Sequence, residues 1–203
     1  MIAIITGDII NSGEYRASEW MEVLKSYFLQ LGNSPGDWEF YRGDEFQIRV
    51  PAERALHTAI AIKARIKTFK KLDVRMAIGL GDETYKGPKV SESNGTAYQR
   101  SGRTFERLKD EKVHLAISSG HPKQDRTLNL ILLLALDFMN DWSQVSAEIM
   151  VLLLKEPGAA QNQIAEQLGI KQSAVSQRFK RARKDLVLSI LRHYNSILKE
   201  LNP

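Results

Sequence analysis

Over the first eighty or so residues the apolar pattern switches repeatedly between strand and helix period, and the order of those switches limits the fold. Met1 to Ile5 is a continuous apolar, β-branched run followed by Gly7-Asp8, which reads as a buried strand with a carboxylate closing it. Trp20, Val23, Leu24, Tyr27, Phe28 and Leu31 recur at helical spacing until Gly32-Asn33. Trp38 and Phe40, then Phe46, Ile48 and Val50, alternate on either side of Arg42-Gly43-Asp44-Glu45, so they form a hairpin with an acidic tip. Leu56, Ile60, Ile62 and Ile66 mark a helix within residues 53–69, and Val74 to Leu80 is a strand running into Gly81. The order is β-α-β-β-α-β, the ferredoxin-like split arrangement. In it the first and third strands are neighbours, so Asp8 and Asp44 are expected to converge. Two converging carboxylates can hold Mg²⁺ or Mn²⁺ against nucleotide phosphates; the same residues at a turn can equally serve as local caps.

A polar loop, residues 82–93, leads to a polar helix over about 96–109 and a short strand over 113–117. Ser118-Ser119-Gly120-His121-Pro122 is the clearest break and suggests two domains, 1–120 and 123–203. Helices are predicted over about 126–140, 143–155, 162–168, 172–184 and 186–201. The run Leu128–Leu136 contains Asn129 and is far short of the roughly 20 residues that span a bilayer, so it reads as a buried helix. The expected class is α+β, a ferredoxin-like domain followed by an all-α one.

The net charge of +5 is not evenly spread. Residues 1–157 balance, whereas residues 158–203 carry eight Lys/Arg against three Asp/Glu, the footprint of a polyanion-binding module. Within it, Ala165, Gly169 and Val175 have the size and spacing of a helix-turn-helix: a small residue at the crossing, a residue tolerating positive φ at the turn, and an apolar residue packing back. The second helix would then face DNA. Gln172, Ser173, Ser176 and Gln177 would point toward base edges, and Arg178, Lys180, Arg181 and Lys184 toward phosphates. A homodimer on a two-fold site is the natural unit.

The chain has no cysteine, which excludes disulfides and thiolate-bound zinc and fits a reducing cytoplasm. The N-terminus lacks a basic leader, and no membrane association is expected.

The Asp after the first strand together with the Gly-Asp-Glu-Phe hairpin resembles the palm of class III nucleotide cyclases and GGDEF diguanylate cyclases. That likeness implies metal ligation by Asp8, Asp44 and the Ile9 carbonyl. It implies nucleotide contacts from Gly43, Glu45, Lys89 and Arg100, with Arg103 stabilising the transition state. The first Gly of GGDEF is Arg42 here, and the cyclase pattern Asn-x-x-x-Arg is incomplete, with Gln99 four residues before Arg103. Over the full length, Ile5-Thr6-Gly7-Asp8-Ile9-Ile10-Asn11-Ser12, the Arg-Gly-Asp-Glu-Phe-Gln hairpin, Ser101-Gly102-Arg103 and the C-terminal helix pair resemble the SatD family. The resemblance implies a cyclase-type palm joined to a DNA-binding tail: a regulator binding double-stranded DNA and a nucleotide. The alternative is a metal-dependent nucleotide cyclase or nucleotidyltransferase.

Overall fold

The computed structural model describes residues 1–201. The elements run β1 (Ile2–Ile10), α1 (Ala17–Phe28), β2 (Trp38–Tyr41), β3 (Glu45–Pro51), α2 (Ala55–Ile66), β4 (Asp73–Gly81), α3 (Thr96–Glu111) and β5 (Leu115–Ser118). They continue with α4 (Pro122–Met139), α5 (Gln144–Lys155), α6 (Gln161–Leu168), α7 (Gln172–Arg181) and α8 (Lys184–Leu201). The five strands form one sheet in the order β2-β3-β1-β4-β5. Central β1 is antiparallel to both β3 and β4, and β5 joins β4 in parallel.

β1 does not end at Gly7-Asp8. Its ladder with β4 continues to Ile10 opposite Asp73, so Asp8 lies inside the strand rather than closing it. A central strand has two ladders to hold it, and local turn-forming residues yield to them.

Side-chain alternation divides the sheet into two faces. Ala3, Ile5 and Ile9 of β1, Phe46, Ile48 and Val50 of β3, and Val74, Met76, Ile78 and Leu80 of β4 enter the main core with Trp20, Leu24 and Phe28 of α1 and Leu56 and Ile60 of α2. Phe28 anchors this layer, its ring 5.6 Å from Trp38 and Phe40 and 5.4 Å from Phe46. The opposite face meets α3 through Ile4 with Ala97 and Tyr98, and through Ala77 and Ala116 with Phe105 and Leu108. Gly79 permits that approach, because a Cβ there would sit 2.1 Å from the Ala97 carbonyl oxygen.

The helices from α4 onward are not set apart from the sheet. α5 and α8 pack on α2, and α4 on β5. One cluster of buried hydrophobics runs from Ala3 through Leu132 and Met150 to Tyr194. The Tyr194 hydroxyl donates to the buried Ala52 carbonyl at 2.7 Å. Residues 119–121 interrupt the secondary structure but not the core. Lying between sheet and helices, α2 is buried on nearly every side, Lys63 and Arg65 included, where the sequence displays one apolar face. Lys63 pairs with Asp73, which also meets Lys67 and His114. Burial raises the Asp73 carboxyl, but His114, Lys63 and Lys67 outweigh it and bring it down to about 2.

The expectation of a buried helix at Leu128–Leu136 is corrected. Leu128, Leu132, Ala135, Leu136 and Met139 are buried, whereas Leu130, Leu133 and Leu134 are 59, 55 and 67% exposed. Asn129 covers the outer edge of β5: its amide donates to the Ile117 carbonyl and accepts from the Ile117 N–H, both at 2.8 Å. A side chain here takes the place of a sixth strand on an otherwise open edge. No helix among the described residues is long and apolar enough to cross a membrane.

Candidate functional site

Two regions gather the residues singled out by sequence. The first is a cleft of about 540 Å³ at the C-terminal end of β1, where Asp8, Ile9, Ser12, Asp44, Arg75 and His114 meet. The hairpin supplies Asp44 through a turn in which Arg42 (φ 52) and Gly43 (φ 88) are both left-handed, the geometry that suits a tight β-hairpin. Register supplies Asp8, which stands opposite Glu45 on β3 and Arg75 on β4. Asp8, Ile9 and Asp44 therefore line one cleft. Ile9 buries its side chain in the main core and stands in register with Val74.

The carboxylates there already have partners. Arg75 donates to Asp8 twice, Nε to Oδ1 at 3.0 Å and Nη2 to Oδ2 at 2.6 Å. This is the forked geometry of a strong charge-assisted pair. Ser12 donates to Asp44 Oδ2 at 2.7 Å, and Lys109 pairs with Glu45 at 2.9 Å. A divalent cation needs carboxylate oxygens facing it without a competing cation. With both Asp8 oxygens on Arg75, the donor set does not fit Mg²⁺ or Mn²⁺ as arranged. No group of three His, Asp or Glu side chains with metal-ligand geometry occurs among the described residues. Arg75 was the residue missed, although its signal was available. It alternates with Val74 and Met76, so it faces away from the main core, as Asp8 does.

The other nucleotide candidates do not converge on this cleft. The antiparallel pairing sets Gly81 beside Ile2, so the loop after β4 lies at the opposite end of the sheet, about 20 Å away by strand rise. Lys89 is exposed in that loop with Glu92 3.8 Å away. Arg100 donates to the Leu80 carbonyl at 2.6 Å, and its guanidinium occupies the space a Cβ on Gly120 would need. It joins the end of β4 to the loop after β5. Arg103 is exposed on α3, while its neighbour Ser101 is fully buried and bonded to Thr6 at 2.8 Å. More polar links of this kind cross the α3 face. Gln47 donates to Thr6 at 3.2 Å, Arg49 pairs with Glu83 at 2.9 Å, and Tyr98 donates to Glu83 at 2.9 Å. Burial, reinforced by the Glu83 bond, pushes the Tyr98 hydroxyl up to about 12.

The second region is the α6–α7 pair. Gly169 ends α6 in the left-handed region (φ 63, ψ 33), and the Ile170 N–H returns to the Ala165 carbonyl at 3.0 Å. Ile164, Ala165, Val175 and Phe179 are buried, with α7 held between α5 and α6. On the outer side of α7, Gln172, Ser173, Ser176 and Gln177 are exposed, as are Lys180 and Arg181, while Arg178 is half-buried. Gln172 donates to Gln161 at 2.6 Å, which ties the start of α7 to the start of α6. Lys184 lies over the Phe179 ring at 4.7 Å. α7 stops at Arg181, short of the expected Lys184, because Arg183 takes a positive φ of 58°.

These features define a mixed α+β protein with a five-stranded sheet whose α3 face combines two small apolar clusters with internally paired polar groups, carrying a basic helical extension. The SatD family model matches residues 1–195, and the chain belongs to that family. Among curated proteins and among solved structures, none matches.

Proposed function

We propose that this SatD-family protein is a DNA-binding transcriptional regulator, with α6 and α7 as a helix-turn-helix carried by a ferredoxin-like, cyclase-type palm. The observation that carries the reading is the surface of α7. Four small or amide side chains, Gln172, Ser173, Ser176 and Gln177, stand free of the core at its start, and Arg178, Lys180 and Arg181 follow. Amides can pair with adenine edges, and the cations serve phosphates. The test is selection of duplexes from a random library by the full-length protein. A preferred sequence that Gln177→Ala relaxes supports the reading; recovery of no duplex at low salt contradicts it.

Homodimerisation belongs to the same proposal and draws on α4. Arg126, Leu130, Leu133 and Asp137 are all exposed and lie along one helical stripe, and neither Arg126 nor Asp137 has an ion-pair partner among the described residues. Two antiparallel copies crossing beside Leu132 set Leu130 of one against Leu133 of the other and Arg126 against Asp137. That stripe is complementary to itself under a two-fold axis, as an isologous interface requires. Leu133→Glu is expected to leave a monomer in sedimentation.

A second reading, a metal-dependent nucleotide cyclase or nucleotidyltransferase, has one observation in its favour: Asp8 and Asp44 share a cleft. It requires Arg75 to release Asp8 before Mg²⁺ or Mn²⁺ and a nucleotide could enter. Pyrophosphate release from a nucleoside triphosphate, abolished by Asp44→Ala, would establish it. The cleft as paired favours a regulator whose palm is a scaffold.

A further inference from the structure

The most unusual charged group in the molecule lies away from both regions. Arg65, on the last turn of α2, is 91% buried (9% exposed) and has no carboxylate within ion-pair distance among the described residues. A guanidinium carries five N–H donors. One reaches the Ala61 carbonyl at 3.0 Å, and the flat face stacks on Tyr27 with the carbon 3.7 Å from the ring centre. Burying a cation without a counter-charge is costly, and a stack and one carbonyl do not supply a negative charge. Tyr27 does not supply it either, since burial raises its hydroxyl further above neutrality.

Arg65 instead borders a cavity of about 460 Å³ between α1, α2, α5 and α8. Arg54 and Lys155 also border it, against the single carboxylate of Glu53. His57 adds no charge at neutral pH. Its burial lowers it from the usual histidine range, with Arg54 and Arg65 lowering it further against the Leu154 bond. Its Nε2 lies 3.1 Å from the Leu154 carbonyl oxygen. The cavity thus holds three cations to one anion, one of the cations nine-tenths buried, with room for a small organic molecule.

We propose that this cavity is a binding site for an organic phosphate of about mononucleotide size, with Arg65 as the buried anchor and Arg54 and Lys155 closing on the phosphate from the rim. A dianionic phosphate balances the excess of two charges and matches the guanidinium fork. The site shares no residue with the Asp8–Asp44 cleft. Its walls come from the sheet-bound helices α1 and α2 and from the C-terminal helices α5 and α8, and α5 packs directly on α7. An occupant that draws these walls together acts on the support of α7, which makes the site an effector site. That regulatory part rests on the DNA-binding reading; binding of the phosphate does not.

The experiment is calorimetric titration of the full-length protein with inorganic phosphate, 5′-AMP, 5′-GMP and citrate, at matched ionic strength in chloride. Saturable binding of at least one phosphate probe is expected. It should weaken by about tenfold or more in Arg65→Met, which loses the buried charge-assisted bonds, and measurably in the exposed variant Arg54→Gln. It should persist in Asp8→Asn. Arg65→Met should fold at least as stably as the parent in the absence of ligand, since it removes an uncompensated buried charge. No saturable binding in the millimolar range, or equal binding by parent and both arginine variants, would overturn the site. Loss in Asp8→Asn with retention in Arg65→Met would overturn it in favour of the β1 cleft. Citrate binding without phosphate binding would overturn the phosphate assignment. If binding behaves as expected but DNA affinity does not respond to it, the effector role fails and the site stands.

Discussion

Replacing Asp8 by Asn distinguishes a structural carboxylate from one held ready for a cation, because the two predict opposite signs for the change in stability. In the structure Asp8 accepts two bonds from Arg75, at 3.0 and 2.6 Å, with side chains 15 and 19% exposed. Hydrogen bonds to charged groups contribute about 1.5–3 kcal/mol each, and neighbouring solvent offsets part of that. Asp8→Asn keeps the shape and one weaker bond, so a loss of about 2 kcal/mol is expected, or roughly 4–8 °C in Tm for a chain of this size. Arg75→Met strands the carboxylate and should cost at least as much. The double variant should cost less than the sum of the two singles, with a coupling of about 1.5–3 kcal/mol. Urea unfolding near neutral pH with a chelator present measures all four proteins. A carboxylate awaiting a metal would repel Glu45 and Asp44 in the metal-free protein, so its removal would stabilise. Stabilisation by Asp8→Asn, or coupling near zero, would refute the ion-pair account.

Three further outcomes follow from particular contacts. Asp73 titrates at about 2 in the fold against 3.8 ordinarily, a depressed pKa. Its contribution is therefore present above about pH 4 and is lost as pH falls toward 2, up to about 2 kcal/mol; Asp73→Asn should flatten that part of the acid-unfolding curve. Gly169→Ala meets no neighbour within 4 Å of the new Cβ but must hold φ at 63°, so a loss of about 1 kcal/mol with unchanged circular dichroism is expected. Tyr194→Phe removes one of two bonds to the buried Ala52 carbonyl, which keeps that from the Ala55 N–H, and should cost about 1 kcal/mol. Parent and variant should each unfold in one transition seen alike by tryptophan fluorescence and circular dichroism, because the core is continuous; two separated transitions would contradict that continuity.

The parts of the fold legible in the sequence were those fixed by local pattern. Alternation at Trp38/Phe40 and Phe46/Ile48/Val50 located β2, β3 and the hairpin between them. Ala165, Gly169 and Val175 located the α6–α7 turn. What local pattern did not reveal was set by long-range neighbours. β1 runs through Gly7-Asp8 because β3 and β4 hold it from both sides. α2 is buried all round because α5 and α8 cover the side away from the sheet. The α4 leucines divide between the core and solvent because β5 is a narrow edge to pack on. In the candidate site, the meeting of Asp8 and Asp44 followed from strand order, but the Arg75 pairing depends on a β1–β4 register that no short motif encodes. The same register places Lys89 and Arg100 at the far end of the sheet from the carboxylates they were expected to assist. Arg65 gave no signal at all, since a basic residue on a predicted helix reads as solvated until the packing over it is known.

The salt dependence of DNA binding tests the central claim most directly. Fluorescence anisotropy of a labelled duplex, titrated with the full-length protein across a series of salt concentrations, gives the slope of log affinity against log salt. Affinity should fall steeply with salt, and Lys180→Ala with Arg181→Ala should reduce the slope by roughly one to two while leaving Tm unchanged, about one phosphate contact for each residue. No binding at low salt, or a slope that the double variant leaves untouched, would contradict the assignment of α7 as the DNA-facing helix.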